Sequence, residues 1–287
     1  MAHIAWIGAG LLGAGFVEAA LARGLGVTVW NRTVAKAKAL EAHGARVASS
    51  LEEAVAGVER VHLCLSDDAA VDAVLDRIVP CLGPGVPVVC HTTVSPEGAR
   101  ARAARLAAKG IGFLACPVFM SPANARAATG RMLCAGPSAL VAALAPELRA
   151  MTGELVVLGE DVTRPATLKL VGNTMIIGMA AALADAMTVA AGAGVPPSEV
   201  QAFVATFPFA ALISGRGAKM AEGDFTPSFE LAMARKDVRL MLEAAGARPV
   251  AALGGIATRM DALIGEGFAE SDFGVLAKDA LPEHFSK

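Results

Sequence analysis

The 287-residue sequence predicts an α/β fold: a doubly wound parallel sheet followed by an all-helical carboxyl-terminal domain. Three observations carry that expectation. Up to Gly159, short apolar runs alternate with longer amphipathic segments, the pattern of βαβ units. A glycine cluster, Gly8-Ala9-Gly10-Leu11-Leu12-Gly13, sits between the first apolar run and the first amphipathic one. Beyond Gly159 no convincing strand remains, and only helical stretches follow.

Taken in order, residues 3–9 read as a buried strand, 11–25 as a helix, 27–31 as a second strand and 33–44 as a helix ending at a glycine. A short strand in 45–49, a helix over 51–57, a strand over 60–66 and a helix over 69–82 come next. Residues 87–93 read as a strand, and Ser95-Pro96 opens a helix to 110, because proline suits the first helical turn. Residues 111–119 and 132–137 look like two more strands. The helical half comprises a long apolar helix from Pro165, then 197–206, 228–246 and 249–267. The boundary falls near residue 161, giving a nucleotide-binding domain over 1–160 and a helical substrate or dimerisation domain over 161–287.

Composition narrows the function classes. At 55% hydrophobic, 18% charged and a formal charge of −2, the chain is globular with ample core, and nothing invites nucleic acid or an anionic membrane surface. The start MAHIAWIGAG has no basic stretch, so no signal peptide is expected there. Five cysteines (Cys64, Cys81, Cys90, Cys116, Cys134) without CxxC spacing read as small buried hydrophobes in a reducing cytoplasm, not as a disulfide framework or a zinc site. The absence of tyrosine excludes a tyrosine proton donor. The apolar span 168–192 contains Lys169, Asn173 and Asp185 and lacks basic flanks. It is therefore expected to be buried on nearly all sides, within the molecule or between two subunits of a homodimer, and not to cross a membrane.

The glycine cluster is GxGxxG in the strand–turn–helix context that a Rossmann dinucleotide site requires. Gly8 allows the tight turn, Gly10 lets backbone approach a pyrophosphate and Gly13 lets the helix pack close to the strand, with Leu11 and Leu12 presenting the helix N-terminus. After the second strand, Trp30-Asn31-Arg32-Thr33 has no acid to hold a ribose 2′-hydroxyl. Arg32 can fork onto a 2′-phosphate, with Asn31 and Thr33 adding hydrogen bonds, which favours NADP(H). Leu65 and Ser66 end the third long strand and Thr92 and Thr93 a later one, at the carboxyl edge where such sheets bind ligands. Asp67-Asp68 reads as a helix cap, and no metal site is expected. Lys169 is the only charge between Pro165 and Ala184, and Asn173 shares its helix face four residues on. A buried ammonium beside an amide suits stabilisation of a developing alkoxide.

GAGLLGAGF (8–16), WNRT (30–33), HTTVSP (91–96), CPVF (116–119), KLVGN (169–173) and DFTPSF (224–229) followed by KD (236–237) together resemble the β-hydroxyacid dehydrogenases. That group includes 3-hydroxyisobutyrate dehydrogenases, tartronate semialdehyde reductases and glyoxylate/succinic semialdehyde reductases, relatives of 6-phosphogluconate dehydrogenase. The similarity spans essentially the whole chain. It implies hydride transfer between NADP(H) and a small aldehyde, keto acid or hydroxy acid, in a dimer with the active site between the domains. It implies that Lys169 gives a proton to the carbonyl oxygen, that Asn173 binds substrate, that Thr93 lies near the nicotinamide and that Lys236 reaches the cofactor. Phe225 and Phe229 would be core anchors.

One departure stands out. Where the family has Asp-Ala-Pro-Val-Ser-Gly-Gly, this chain has Ala115-Cys116-Pro117-Val118-Phe119-Met120-Ser121. Pro117 and Val118 keep the frame of the substrate segment, Phe119 stands for the serine, and Ser121 is the nearest replacement donor. The apolar ring points to a larger, less polar carbonyl or imine. Two alternatives follow: an imine reductase on the same scaffold, although that group generally lacks the Lys-x-x-x-Asn pair, and a non-catalytic NADPH-binding protein.

Overall fold

The computed structural model describes residues 2–281. Its first half is built on six parallel strands: β1 (His3–Ile7), β2 (Gly26–Trp30), β3 (Arg46–Val47), β4 (Arg60–Leu63), β5 (Val88–Cys90) and β6 (Phe113–Ala115). They lie in the order β3-β2-β1-β4-β5-β6. Side chains alternate between the two faces. Ala5, Ile7, Val61 and Val88 enter one apolar cluster, and Ile4, Trp6, Val29 and Val89 enter the other. Both faces are covered, which is why the strands read as continuous apolar runs. Connecting helices are α1 (Leu11–Ala22), α2 (Val34–Lys38), α3 (Leu51–Ala54), α4 (Asp68–Ile78) and α5 (Pro96–Ala107). The strand order reverses between β1 and β4, so the crevice beyond their carboxyl ends is the ligand position of such a sheet.

The register draws those ends level. Ile7 lies opposite Trp30 and Leu63, Gly8 N donates to Trp30 O, His91 N to Leu63 O and Cys116 N to Cys90 O. The turns after β1, β2, β4, β5 and β6 therefore share one edge.

Two expectations need correction here. Residues 33–44 do not form one helix. The segment α2 ends at Lys38, a 3₁₀ turn covers Glu41–His43, and Gly44 takes φ 96° so that buried Leu40 and Ala45 both face the core. Residues 111–119 do not form one strand. Pro117 has no N–H to continue a ladder, and beyond it β7 (Val118–Phe119) joins a second sheet, antiparallel to β8 (Arg131–Cys134), which runs parallel to β9 (Glu154–Val157). The helices α6 (Pro122–Ala127) and α7 (Ser138–Arg149) complete this flank.

The remainder is helical: α8 (Thr163–Gly192), α9 (Pro197–Val204), α10 (Phe209–Glu222), α11 (Leu231–Ala245) and α12 (Leu253–Gly265). The sequence reading passed over α10, whose Gly215 and Gly217 lower its helix propensity. The chain divides into two compact units, Met1–Asn173 and Thr174–Lys287, with α8 running from the first into the second. The core of the second is Leu231, Ala234, Val238, Ala257, Met260, Leu263 and Val275.

One chain does not bury α8. Residues 174–180 are exposed throughout, with Met175 at 50%, Ile176 at 58% and Ile177 at 67%. The helix is long and apolar enough to cross a bilayer on length and composition alone. Its polar residues are nonetheless built into packed structure at both ends. Asp185 accepts from the N–H groups of Ala251, Ala252 and Leu253 at the start of α12, and Lys169 and Asn173 are engaged in the first unit.

Candidate active site

The turn after β1 is shaped by what its glycines exclude. Gly8 has φ 105°, and a Cβ there would lie 2.2 Å from Cys64 O. A Cβ on Gly13 would lie 2.1 Å from Gly8 O, so the start of α1 can approach β1 only without one. Gly10 faces open space. It occupies the N-cap position of α1 without a side-chain cap, and the first turn holds no acid. The positive end of that helix opens onto a cavity of about 540 Å³, lined by Gly10, Leu11, Leu12, Arg32, Ser66 and Thr93 among others. Leu11 is 82% exposed at its mouth. An uncapped helix end, an open glycine and guanidinium groups around one cavity fit a dinucleotide.

The end of β2 divides its labour. Asn31 Oδ1 accepts from Ala9 N and its Nδ2 donates to Thr33 O, both at 2.9 Å. Its amide ties the glycine turn to β2 while the residue also lines the cavity. Arg32 and Thr33 are exposed on the cavity, with Lys36 and Arg77 beside them. Lys36 was missed in the sequence, although it stands one turn past Thr33. Arg77 forks onto Glu52, so part of its charge is used within the protein. Leu65 N donates to Thr92 Oγ1 at 2.9 Å, which joins the turns after β4 and β5. Asp67 caps α4 by accepting from Ala70 N, and Ser66 Oγ donates to it. The Ala70 N–H first, and then the Ser66 hydroxyl, hold the Asp67 carboxyl below its usual range. Among the described residues, no group of three or more His, Cys, Asp or Glu side chains converges as for a metal ion.

Beneath this edge runs a polar column that sequence reasoning missed. Arg60 pairs with Glu147, and its Nε donates to His62 Nε2 at 2.9 Å. His62 Nδ1 meets His91 Nε2, and His91 Nδ1 meets Cys116 O, each at 2.9 Å. A carbonyl can only accept, so His91 carries its proton on Nδ1, and His62 does the same. Both rings are buried and stack on Trp6. Burial pushes His91 down to about 4 and His62 well below its ordinary value. The expectation for cysteines holds for buried Cys90, Cys116 and Cys134, but Cys64 is half-buried and Cys81 exposed.

Lys169 Nζ donates to Asn173 Oδ1 at 2.9 Å and lies 4.2 Å from the centroid of the Phe119 ring. Burial lowers its pKa. Phe119 follows β6 by four residues, and Cys116 in between is tied to Cys90 and His91, so the chain runs from the carboxyl end of β6 into this cluster. The other members of that segment are spent on structure. Pro117 O accepts from Leu133 N, and Val118 is buried in the ladder against Met132. Ser121 is the N-cap of α6: its hydroxyl accepts from Asn124 N and donates to Asn124 Oδ1. The hydroxyl of Ser121, expected as the nearest replacement donor, is engaged in this cap. In the second unit Lys236 lies on an exposed face of α11, paired with Asp237 at 2.9 Å. Phe225 is half-buried against the core, whereas Phe229 is 39% exposed and meets Phe273 edge-on.

A doubly wound sheet with an uncapped helix over a glycine turn, and cations at the end of β2, defines an NAD(P)-dependent oxidoreductase. The chain belongs to the 6-phosphogluconate and 3-hydroxyisobutyrate dehydrogenase family. The family model described as the NAD binding domain of 6-phosphogluconate dehydrogenase matches residues 3–159, and that described as NAD-binding of NADP-dependent 3-hydroxyisobutyrate dehydrogenase matches residues 165–278. It is an NAD(P)-dependent reductase of the hydroxyacid dehydrogenase type. The uncharacterized oxidoreductase YfjR of Bacillus subtilis is 28% identical over 96% of this chain and 98% of its own. Glyoxylate/succinic semialdehyde reductase 1 of Arabidopsis thaliana is 28% identical over 87% of this chain and 89% of its own. In fold the chain is similar to an imine reductase from Myxococcus stipitatus solved with NADP+, at a TM-score of 0.88 and 22% identity over 96% of this chain and 99% of that one.

Proposed function

We propose that the chain is an NADPH-dependent reductase of small carbonyl compounds in which Lys169 is the proton donor and Asn173 holds the substrate. The observation that supports this most is the Lys169–Asn173 contact, with Lys169 partly desolvated and no carboxylate within ion-pair distance of it among the described residues. When bound, the dinucleotide supplies a hydride. Lys169 directs its ammonium at the position where a carbonyl oxygen gains negative charge, and transfers its proton there. Asn173 fixes that ammonium through Oδ1, which leaves its Nδ2 free to donate to a substrate oxygen. Arg32, with Lys36 near it, supports the choice of NADPH because both cations face the cavity where a 2′-phosphate would add charge.

Lys169→Ala is expected to lower kcat/KM roughly 10²–10⁴-fold on glyoxylate or succinic semialdehyde, with NADPH affinity by fluorescence titration unchanged. Turnover equal to wild type would defeat the assignment. A second reading, imine reduction at the same centre, is favoured by the apolar Phe119 ring at the lysine. Cyclic imines assayed beside the two aldehydes separate the readings. We further infer a homodimer, because α8 leaves a row of apolar side chains uncovered in one chain. Five free thiols suit a reducing cytoplasm.

A further inference from the structure

Phe119 packs against the helix that carries the lysine, and that helix makes room for it. A Cβ on Gly172 would lie 2.3 Å from Phe119 Cζ and 2.5 Å from Cε1. Gly172 keeps ordinary helical backbone, so the ring's need for space, and not backbone freedom, explains the glycine. Across this notch the Lys169 ammonium lies 4.2 Å from the ring centroid and donates to Asn173 Oδ1 at 2.9 Å. Lys169, Gly172 and Asn173 are three and four residues apart and share a helix face. Burial lowers the pKa of the amine, and among the described residues no carboxylate pairs with it. The negative face of the ring offsets part of what the ammonium loses by leaving water. A four-carbon lysine stem has many rotamers, so an ammonium held from two sides is confined to one of them.

We propose that Phe119 is a positioning residue for Lys169: its ring, seated in the notch at Gly172, holds the ammonium in place against Asn173 Oδ1. This rests on the reading of Lys169 as proton donor. Phe119→Leu keeps an apolar side chain and removes the ring face. In the full-length protein it is expected to lower kcat on the order of tenfold, with NADPH affinity unchanged. The alkaline limb of kcat should move to lower pH, because the protonated lysine has lost its favourable neighbour. Gly172→Ala, a change that helix propensity alone would favour, should reproduce the loss by displacing the ring.

A readout without turnover is the pH dependence of Lys169 acetylation by acetic anhydride, followed by peptide mass spectrometry. Its midpoint should fall in Phe119→Leu relative to wild type. If Phe119→Leu and Gly172→Ala, both folded by circular dichroism, keep the kcat, pH limb and acetylation midpoint of wild type while Lys169→Ala is inactive, the positioning role is refuted and the proton donor stands. If Lys169→Ala itself turns over normally, both fall.

Discussion

His91 shows how a single atom's bonding capacity fixes several others. Because Cys116 O only accepts, the proton positions on His91 and His62 follow, and Arg60 closes the series. The arrangement needs both rings neutral. In an unfolded chain His91 binds protons below its ordinary 6.5, whereas in the fold burial holds it at about 4. The unfolded state is thus the more protonated one in that window, and stability rises with pH across it. About 3 kcal/mol is expected to be lost by His91 alone between pH 6.5 and 4. Urea unfolding at pH 7 and pH 5 measures the slope, and Phe or Gln at 91 should flatten it. A slope unchanged by either substitution would contradict the neutral pair. At this scale the sequence was legible where partners are close in the chain. Lys169 and Asn173 lie one helical turn apart, and Asp67 caps the helix that starts beside it. His62 and His91 were opaque because 29 residues separate them and only strand register brings them together.

Elements reveal a different limit. Strong periodicity and glycine punctuation placed β1, α1, β2, β4, α4, β5 and α5 in the chain. The segments that escaped, α10 and the broken α2, have weak local signals or bend to bury one residue such as Leu40. Asp185 went without a structural role for the same kind of reason, since its three partners begin 66 residues away. Burial pushes its carboxyl upward, but three backbone N–H groups outweigh that and leave it lowered. Asp185→Ala would leave those donors without an acceptor at the start of α12. A loss of about 2 kcal/mol in urea unfolding at fixed protein concentration is expected, and a loss below a few tenths would mean that water replaces the cap.

For the molecule as a whole, the decisive feature is the uncovered face of α8. Composition said that so apolar a helix must be covered, and one chain leaves it bare. Light scattering is expected to give twice the mass of a single chain, with a Tm that rises with protein concentration. Ile177→Glu, at a position 67% exposed in one chain, should yield monomers whose Tm no longer depends on concentration. A wild-type protein of single-chain mass would remove the basis for the dimer. The order of domains was readable because it follows from where strands stop. The partner of α8 was not, because a sequence states that a surface is apolar without stating whose surface meets it.

The file of rings that ends on Cys116 O has a consequence for turnover. A carbonyl cannot take up a proton and pass one on, so this column relays none from Arg60 to the carboxyl edge of the sheet. Under the role proposed for Lys169, the proton that its amine gives up returns by a route other than this column.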